Sequence, residues 1–401
     1  MAEGSSLRTP AAQGSSAGAP RLRNVGIPLL LFAVAAAVHI GSNPRPPGWY
    51  KHYVYQAVAF GQGRLDVRGV PDFYQDLSPF EGRVYLPFPP APALVLMPAV
   101  ALWAEATDQT RVAQLLGAVN VALMWALLVR LGFPAPVALF GAVLLGFGTV
   151  HWSAATIGTT WFFAHVCAVF FVLLAWLEIE GRGRGWLAGV WFALAWLSRV
   201  PVLLALPAAA WRLRRLGDDR VWWFAAANLA GLILFFLYNA ARFGDPLETG
   251  ISMHTHAAHF TEPLRQGILS VAHLGRNLHT MWLRGFEVIG SAPFLRPSAE
   301  GLSVFLTTPA LVRVFAPLTP YRSCHRILVA AIALVMLPSL FWFSTGWVQW
   351  GYRYSLDWMP LAVVLLALCL RPAPTGLDWA LLGLSVASNA LGAYWIRVLG
   401  W

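Results

Sequence analysis

Apolar runs recur along this chain, and nothing constrains its fold more. About 20 apolar residues in a helix cross the roughly 30 Å hydrocarbon core of a bilayer. Candidate runs are Val25 to Ile40, Ala91 to Trp103, Val112 to Val129, Val137 to Ala155, Trp161 to Leu177 and Val221 to Ala241. Others are Leu302 to Leu318, Ile327 to Phe343, Trp358 to Leu370 and Leu377 to Val398. The run Trp186 to Trp211 is interrupted at Arg199 and Pro201 and reads as two short passes. None alternates polar with apolar as a membrane-barrel strand would. The expected fold is all-α, a polytopic integral membrane protein of about ten to twelve transmembrane helices.

Of 401 residues, 58% are hydrophobic and 11% charged, too few charges to cover a protein surface unless lipid covers much of it. The net charge of +10 rests on arginine, Lys51 being the one lysine. The arginines are scattered over helix ends and loops, a pattern that serves membrane topology and anionic headgroups rather than nucleic acid. Cys167, Cys324 and Cys369 have no metal-like spacing and suggest no disulfide frame.

Residues 1–24, rich in Gly, Ser, Ala and Pro, read as a disordered cytoplasmic tail, and residues 25–401 as the membrane domain. The first apolar run is expected to remain as a helix rather than be cleaved as a signal peptide. Three polar segments interrupt the runs, at 41–90, 242–301 and 346–360, and are expected as external loops. Two threadings are open. Single passes throughout leave Arg130, Arg182 and Arg184 outside, against the positive-inside rule. Making Pro87 to Trp103 re-entrant and splitting Trp186 to Trp211 brings those arginines inside. Both place the three segments on one face.

The first segment carries a short amphipathic stretch from Tyr50 to Phe60, then Asp66, Asp72, Asp76 and Glu81. Four of the chain's eighteen acids within sixteen residues either solvate a loop or supply a general base or divalent-ion ligand. The second segment opens Asn-Ala-Ala-Arg-Phe-Gly-Asp-Pro at Asn239. There Arg242 is either an interfacial helix stop or a forked contact for a phosphate. His254, His256 and His259 follow, read as a wet interfacial cluster in preference to a metal site. The third segment holds Trp347, Trp350, Tyr352, Tyr354 and Trp358, adequately explained as interface anchors, together with Arg353 and Asp357. An arginine and an aspartate four residues apart at membrane depth are functional candidates unless paired or facing water. Arg199, in Ser-Arg-Val-Pro, faces the same cavity or snorkels.

Tyr53 and Ala57, the Gly63-Arg64-Leu65-Asp66 turn and the Tyr-x-Pro-Phe-Pro-Pro-x-Pro-x-Leu stretch at Tyr85 to Leu94 follow a first membrane helix in this order. The order resembles the GT-C superfamily of membrane glycosyltransferases, family-39-like members related to protein mannosyltransferases and aminoarabinose transferases. Arg353, Tyr354 and Pro360 resemble that family's late signature. The resemblance implies a GT-C-like fold and transfer of a sugar from a polyprenyl-phosphate donor, in a bacterial plasma (inner) membrane with the active site extracytoplasmic. The partners so implied are the lipid-linked sugar and membrane lipid. Family members carry an acid just before the interfacial helix, where this chain has Trp49 and Tyr50. The base is therefore expected among Asp66, Asp72 and Asp76, unless the chain is an inactive relative. Arg242, Arg353, Tyr352, Tyr354, Asp357 and His52 are the expected substrate-binding residues. The cofactor is open, a divalent cation being one candidate. A transporter or flippase of lipid-linked saccharide is the rival reading, although no internal repeat supports it.

Overall fold

The computed structural model describes residues 20–46, 48–291, 294–315, 322–370 and 372–399. Most of the expected tail lies outside them, and helix α1, Pro20–Ser42, takes in the tail's last five residues. Then come α2 (His52–Gly61), a hairpin of β1 (Ser78–Phe80) with β2 (Arg83–Tyr85), α3 (Ala91–Trp103) and α4 (Gln109–Arg130). The middle of the chain forms α5 (Ala135–Phe147), α6 (His151–Ile157), α7 (Thr160–Glu180), α8 (Gly185–Trp196), α9 (Leu206–Leu216) and α10 (Asp218–Phe243). The remainder forms α11 (Thr261–Arg265), α12 (Leu274–Trp282), a hairpin of β3 (Glu287–Val288) with β4 (Leu295–Arg296), α13 (Val304–Thr307), α14 (Arg322–Phe341), α15 (Met359–Cys369) and α16 (Gly376–Leu399).

Among the described residues six helices are long and apolar enough to cross a membrane, and α5 with α6, bent by 46°, can make a seventh. Shorter apolar helices, among them α8 and α15, pack in the same bundle. The protein is an all-α polytopic membrane protein, and the expected spans fall on its helices with two exceptions.

The first exception is α3. It packs along α2, its start bonded through Ala91 N–H to the Leu197 carbonyl and its end beside the Lys51 ammonium, which donates to the Glu105 carbonyl. α3 therefore runs from the break after α8 to the residue that precedes α2, and its 13 residues are too few for a full span. Pro98, inside the helix, removes a backbone donor from it, whereas Pro90 and Pro92 stand where an amide would have no helical partner. The second exception is Leu302 to Leu318, which is broken into α13 and a 3-10 stretch, Pro309–Phe315, with 316–318 outside the described residues. Broken backbone at membrane depth needs partners. Polar residues on α16 supply them: Asn389 Nδ2 donates to the Thr307 carbonyl (2.7 Å), Ser388 Oγ to Leu306 (3.1 Å), and Ala310 N–H donates to Ser385 Oγ (3.0 Å).

The run from 186 to 211 does split. After α8 the chain breaks at Ser198 and Arg199, passes through a 3-10 turn, Val200–Ala205, and returns in α9. Arg130 consequently lies beside Gly181, Arg220 beside Gly183 and Gly185, and Arg212 pairs with Glu180 at 2.5 Å. One end of the bundle thus gathers the arginines, as in the threading with a re-entrant 87–103 segment.

The polar segments meet at the other end. Asp76 N–H donates to Thr255 O (2.8 Å) and Thr255 N–H to Leu77 O (2.7 Å), joining the first to the second. Gln349 Nε2 donates to Glu300 O (2.8 Å), joining the second to the third, and Ser270 N–H donates to Phe341 O (2.8 Å) at the end of α14. The third segment differs from the expected external loop. Beyond Trp347 it descends into the bundle, and Trp350, Tyr352, Leu356 and Trp358 are buried. Its aromatic side chains pack better against helices than against water, and α14 is sealed where it stops: Asn277 Nδ2 donates to the carbonyls of Ser339, Leu340 and Trp342.

Candidate active site

The first-loop acids separate by environment. Asp66 closes a local turn, its carboxylate 3.1 Å from Arg64 and 2.9 Å from Arg68. Burial works to raise its pKa, but the hydrogen bond and charge of Arg68, with Arg64 behind, hold it below the ordinary carboxylate range. An acid held ionised by two neighbours is a poor base, and its side-chain partners are both local to its own turn. Asp72 is exposed on the loop surface.

Asp76 is the acid that reaches the other segments. It occupies a left-handed backbone position, φ 58°, which Asp tolerates better than most residues. Trp161 Nε1, on the first turn of α7, donates to its Oδ2 at 2.7 Å, and His254 Nε2 stands 3.7 Å from its Oδ1. His254 is itself oriented by its Nδ1, which donates to the Ile251 carbonyl at 2.5 Å. Burial raises the Asp76 carboxyl above the ordinary carboxylate value, against the lowering influence of His254, the Trp161 hydrogen bond and Arg353.

Arg353 is buried, its guanidinium 5.1 Å from the Phe162 ring centroid and 5.4 Å from that of Tyr354. Its Nη1 donates to the Trp347 carbonyl at 3.3 Å, while its Nε meets no acceptor. Among the described residues no carboxylate lies within ion-pairing distance of it. Asp357 does not face it. The segment from Arg353 to Asp357 is a 3-10 turn rather than an α-helix, so residues four apart do not share a face. Asp357 instead binds Arg199 (Nε to Oδ1 3.2 Å, Nη2 to Oδ2 3.1 Å) and His165, whose Nδ1 is 2.8 Å from Oδ1. The Arg199 guanidinium also lies 5.2 Å from the Tyr354 ring. Two guanidiniums therefore crowd one tyrosine ring, while the one aspartate at depth pairs with Arg199 alone.

The other expected substrate contacts turn out to be braces. His52 is fully buried, its Nδ1 2.8 Å from Thr160 Oγ1 and its Nε2 2.8 Å from the Gln75 carbonyl. Burial lowers its pKa to about 4, so it is neutral, and because a carbonyl accepts, Nε2 carries the proton. It fixes the residue before Asp76 instead of facing a substrate. Tyr352 is sealed in the interior with its hydroxyl donating to Ser339 O at 3.3 Å. Arg242 clamps the C-terminus of α10 to the first segment, Nη1 donating to Leu86 O (2.6 Å) and Nη2 to Asn239 Oδ1 (2.7 Å), with the Tyr238 ring 3.9 Å away. Both terminal nitrogens of its fork are thus engaged within the protein, while its Nε meets no acceptor.

His259 stacks on Trp347 at 4.0 Å and His256 lies 5.8 Å from the His254 ring. Among the described residues no group of three or more His, Cys, Asp or Glu side chains could hold a metal ion. Two members of the cluster, Trp161 and His165, were not anticipated. An ionisable residue inside an apolar run is a functional candidate by default, and that signal was available for His165. Trp161 heads a run and looks like any interface anchor.

No family model matches the chain, and no curated protein matches it. Among solved structures it is similar to the apo form of the oligosaccharyltransferase of Archaeoglobus fulgidus, at 14% identity and a TM-score of 0.37, over 93% of this chain and 55% of that one. The chain spans about half the length of that protein, and a likeness this distant does not bear on activity, substrate or partner.

Proposed function

We propose that this protein is an inverting membrane glycosyltransferase of GT-C type. The observation that supports it is that Asp76, an acid with a raised pKa, feels the charge of Arg353, a buried guanidinium with no carboxylate within ion-pairing distance among the described residues, at the end of the bundle away from the arginine-rich helix ends. An acceptor hydroxyl gives its proton to Asp76 as its oxygen bonds to the anomeric carbon. The bond from that carbon to the phosphate oxygen breaks from the opposite face, and its electron pair leaves on the lipid phosphate. Arg353, with Arg199 behind Tyr354, offsets the charge growing on that phosphate. Preorganised positive charge in a site shielded from water is the larger of the two contributions. The positive-inside rule assigns the arginine-rich end to the cytoplasm and the reaction to the extracytoplasmic face.

The test is purified protein in vesicles with a polyprenyl-phosphate sugar and candidate acceptors, comparing the parent with Arg353→Ala. Acceptor-dependent release of lipid phosphate by the parent, lost in the folded variant, is expected. Movement of intact lipid-sugar between leaflets without release would favour the flippase reading instead, and full activity of Arg353→Ala would remove Arg353 from the mechanism.

A further inference from the structure

Helix α12 and the turn before it bury polar side chains beside Met281 and leave large apolar ones exposed. His273, Asn277 and Thr280 face the protein, each no more than 2% exposed. Val271, Leu278 and Leu283 face away, at 72%, 36% and 74%. A surface helix in water shows the reverse pattern. The inward polar groups have employment: Asn277 seals the end of α14, and Arg276 Nη2 donates to the Phe343 carbonyl at 2.6 Å. The outward apolar groups have none within the described chain. The apolar surface continues at Leu269, which bridges to Trp342 at the end of α14, and at Val288 and Phe294 on the following hairpin. It adjoins a spanning helix that itself exposes Leu334 and Leu337, whose cover is lipid. Of the arginines between Glu262 and Glu287, Arg265 pairs with Glu262 at 3.2 Å and Arg284 with Glu300, while Arg276, on α12 itself, has no carboxylate within ion-pairing distance among the described residues, a charge that suits the phosphate level of a bilayer.

We infer that α12, with its flanking turn and the β3–β4 hairpin, is a membrane-docking surface immersed in the leaflet on the side of the polar segments, with phospholipid covering Val271, Leu278 and Leu283. This stands apart from the proposed reaction, since it rests on the outer face of α12 and not on Asp76 or Arg353. Through Arg276 and Phe343 the docked helix is tied to the segment that carries Arg353.

The test is site-directed spin labelling of the full chain in phosphatidylcholine and phosphatidylglycerol vesicles. Labels go on Val271→Cys, Leu278→Cys and Leu283→Cys, with Arg265→Cys as the water reference and the parent chain as background for its own cysteines. Three positions keep the measurement whole if one variant fails to fold. Collision with oxygen several-fold above collision with a water-soluble nickel chelate is expected at the three apolar positions, and the inverse ratio at Arg265→Cys. Nickel access equal to that of the reference would overturn the inference. So would labels immobilised and shielded from both reagents, the result expected if a second copy or another protein covered the helix.

Discussion

At the scale of single residues, the proposed chemistry depends on where one carboxylate sits. Asp66, Asp72 and Asp76 cannot be told apart by spacing, because what separates them is made by distant residues: Arg68 holds one, water bathes another, and Trp161 and His254 receive the third. General-base assistance contributes about 10²–10⁴-fold, so Asp76→Asn is expected to lower kcat by that factor while Asp72→Asn changes little. The sign of the pH dependence follows from the raised pKa. The base works when deprotonated, so kcat/KM rises with pH through a value above the roughly 3.9 of a free aspartate. His254 opposes that rise, and His254→Ala is expected to move the acid limb to still higher pH. A profile that stays put in His254→Ala would detach Asp76 from the limb. Asp357 plays a different part. Removing one partner of a buried ion pair costs about 3–5 kcal/mol, and Arg199 is a quarter exposed, so Asp357→Asn is expected near the lower bound. The loss should register as a lower melting temperature in detergent, and Arg199→Met combined with Asp357→Asn should recover part of it.

At the scale of elements, legibility followed length. A run of twenty apolar residues leaves few alternatives to a spanning helix, and α4, α7 and α10 fall where the runs put them. Breaks were harder to read. The i to i+4 spacing of Arg353 and Asp357 suggests a shared face if the segment is an α-helix, and the 3-10 turn sends one toward Phe162 and the other toward His165. The broken pass at Thr307 and Thr308 could not be foreseen from its own residues, because the groups that permit it lie some eighty positions later on α16. Asn389 gives its amide to both Thr307 O and Ser385 O. Losing it strands the Thr307 carbonyl, at about 1–3 kcal/mol for a buried group left unsatisfied, while the Ser385 carbonyl keeps its helical bond. Asn389→Leu is therefore expected to destabilise the protein more than Leu391→Asn, a change on the exposed face of the same helix, and thermal unfolding in a fixed detergent compares them directly. Equal melting temperatures would mean that the break is supported elsewhere.

At the scale of the whole molecule, the arginines decide how the bundle is threaded. With α3 packed against α2 and the 186–211 run split, Arg130, Arg212 and Arg220 fall at one end, and the segments bearing Asp76, His254 and Trp347 at the other. Charge in short loops orients membrane helices with positive ends toward the cytoplasm, so the threading and the sidedness of the proposed reaction are tied together. The link can be tested without any enzyme assay. Arg215 and His256 are both exposed and lie at opposite ends. In intact cells an impermeant thiol reagent is expected to modify His256→Cys, and Arg215→Cys after the membrane is opened. The inverse pattern would keep the bundle but turn the site toward the cytoplasm, where lipid-linked donors would have to be met from the other leaflet. Modification of both positions from one side would be more damaging, because it contradicts the separation of a charged end from a loop-bearing end on which the proposed sharing of one site by Asp76 and Arg353 depends.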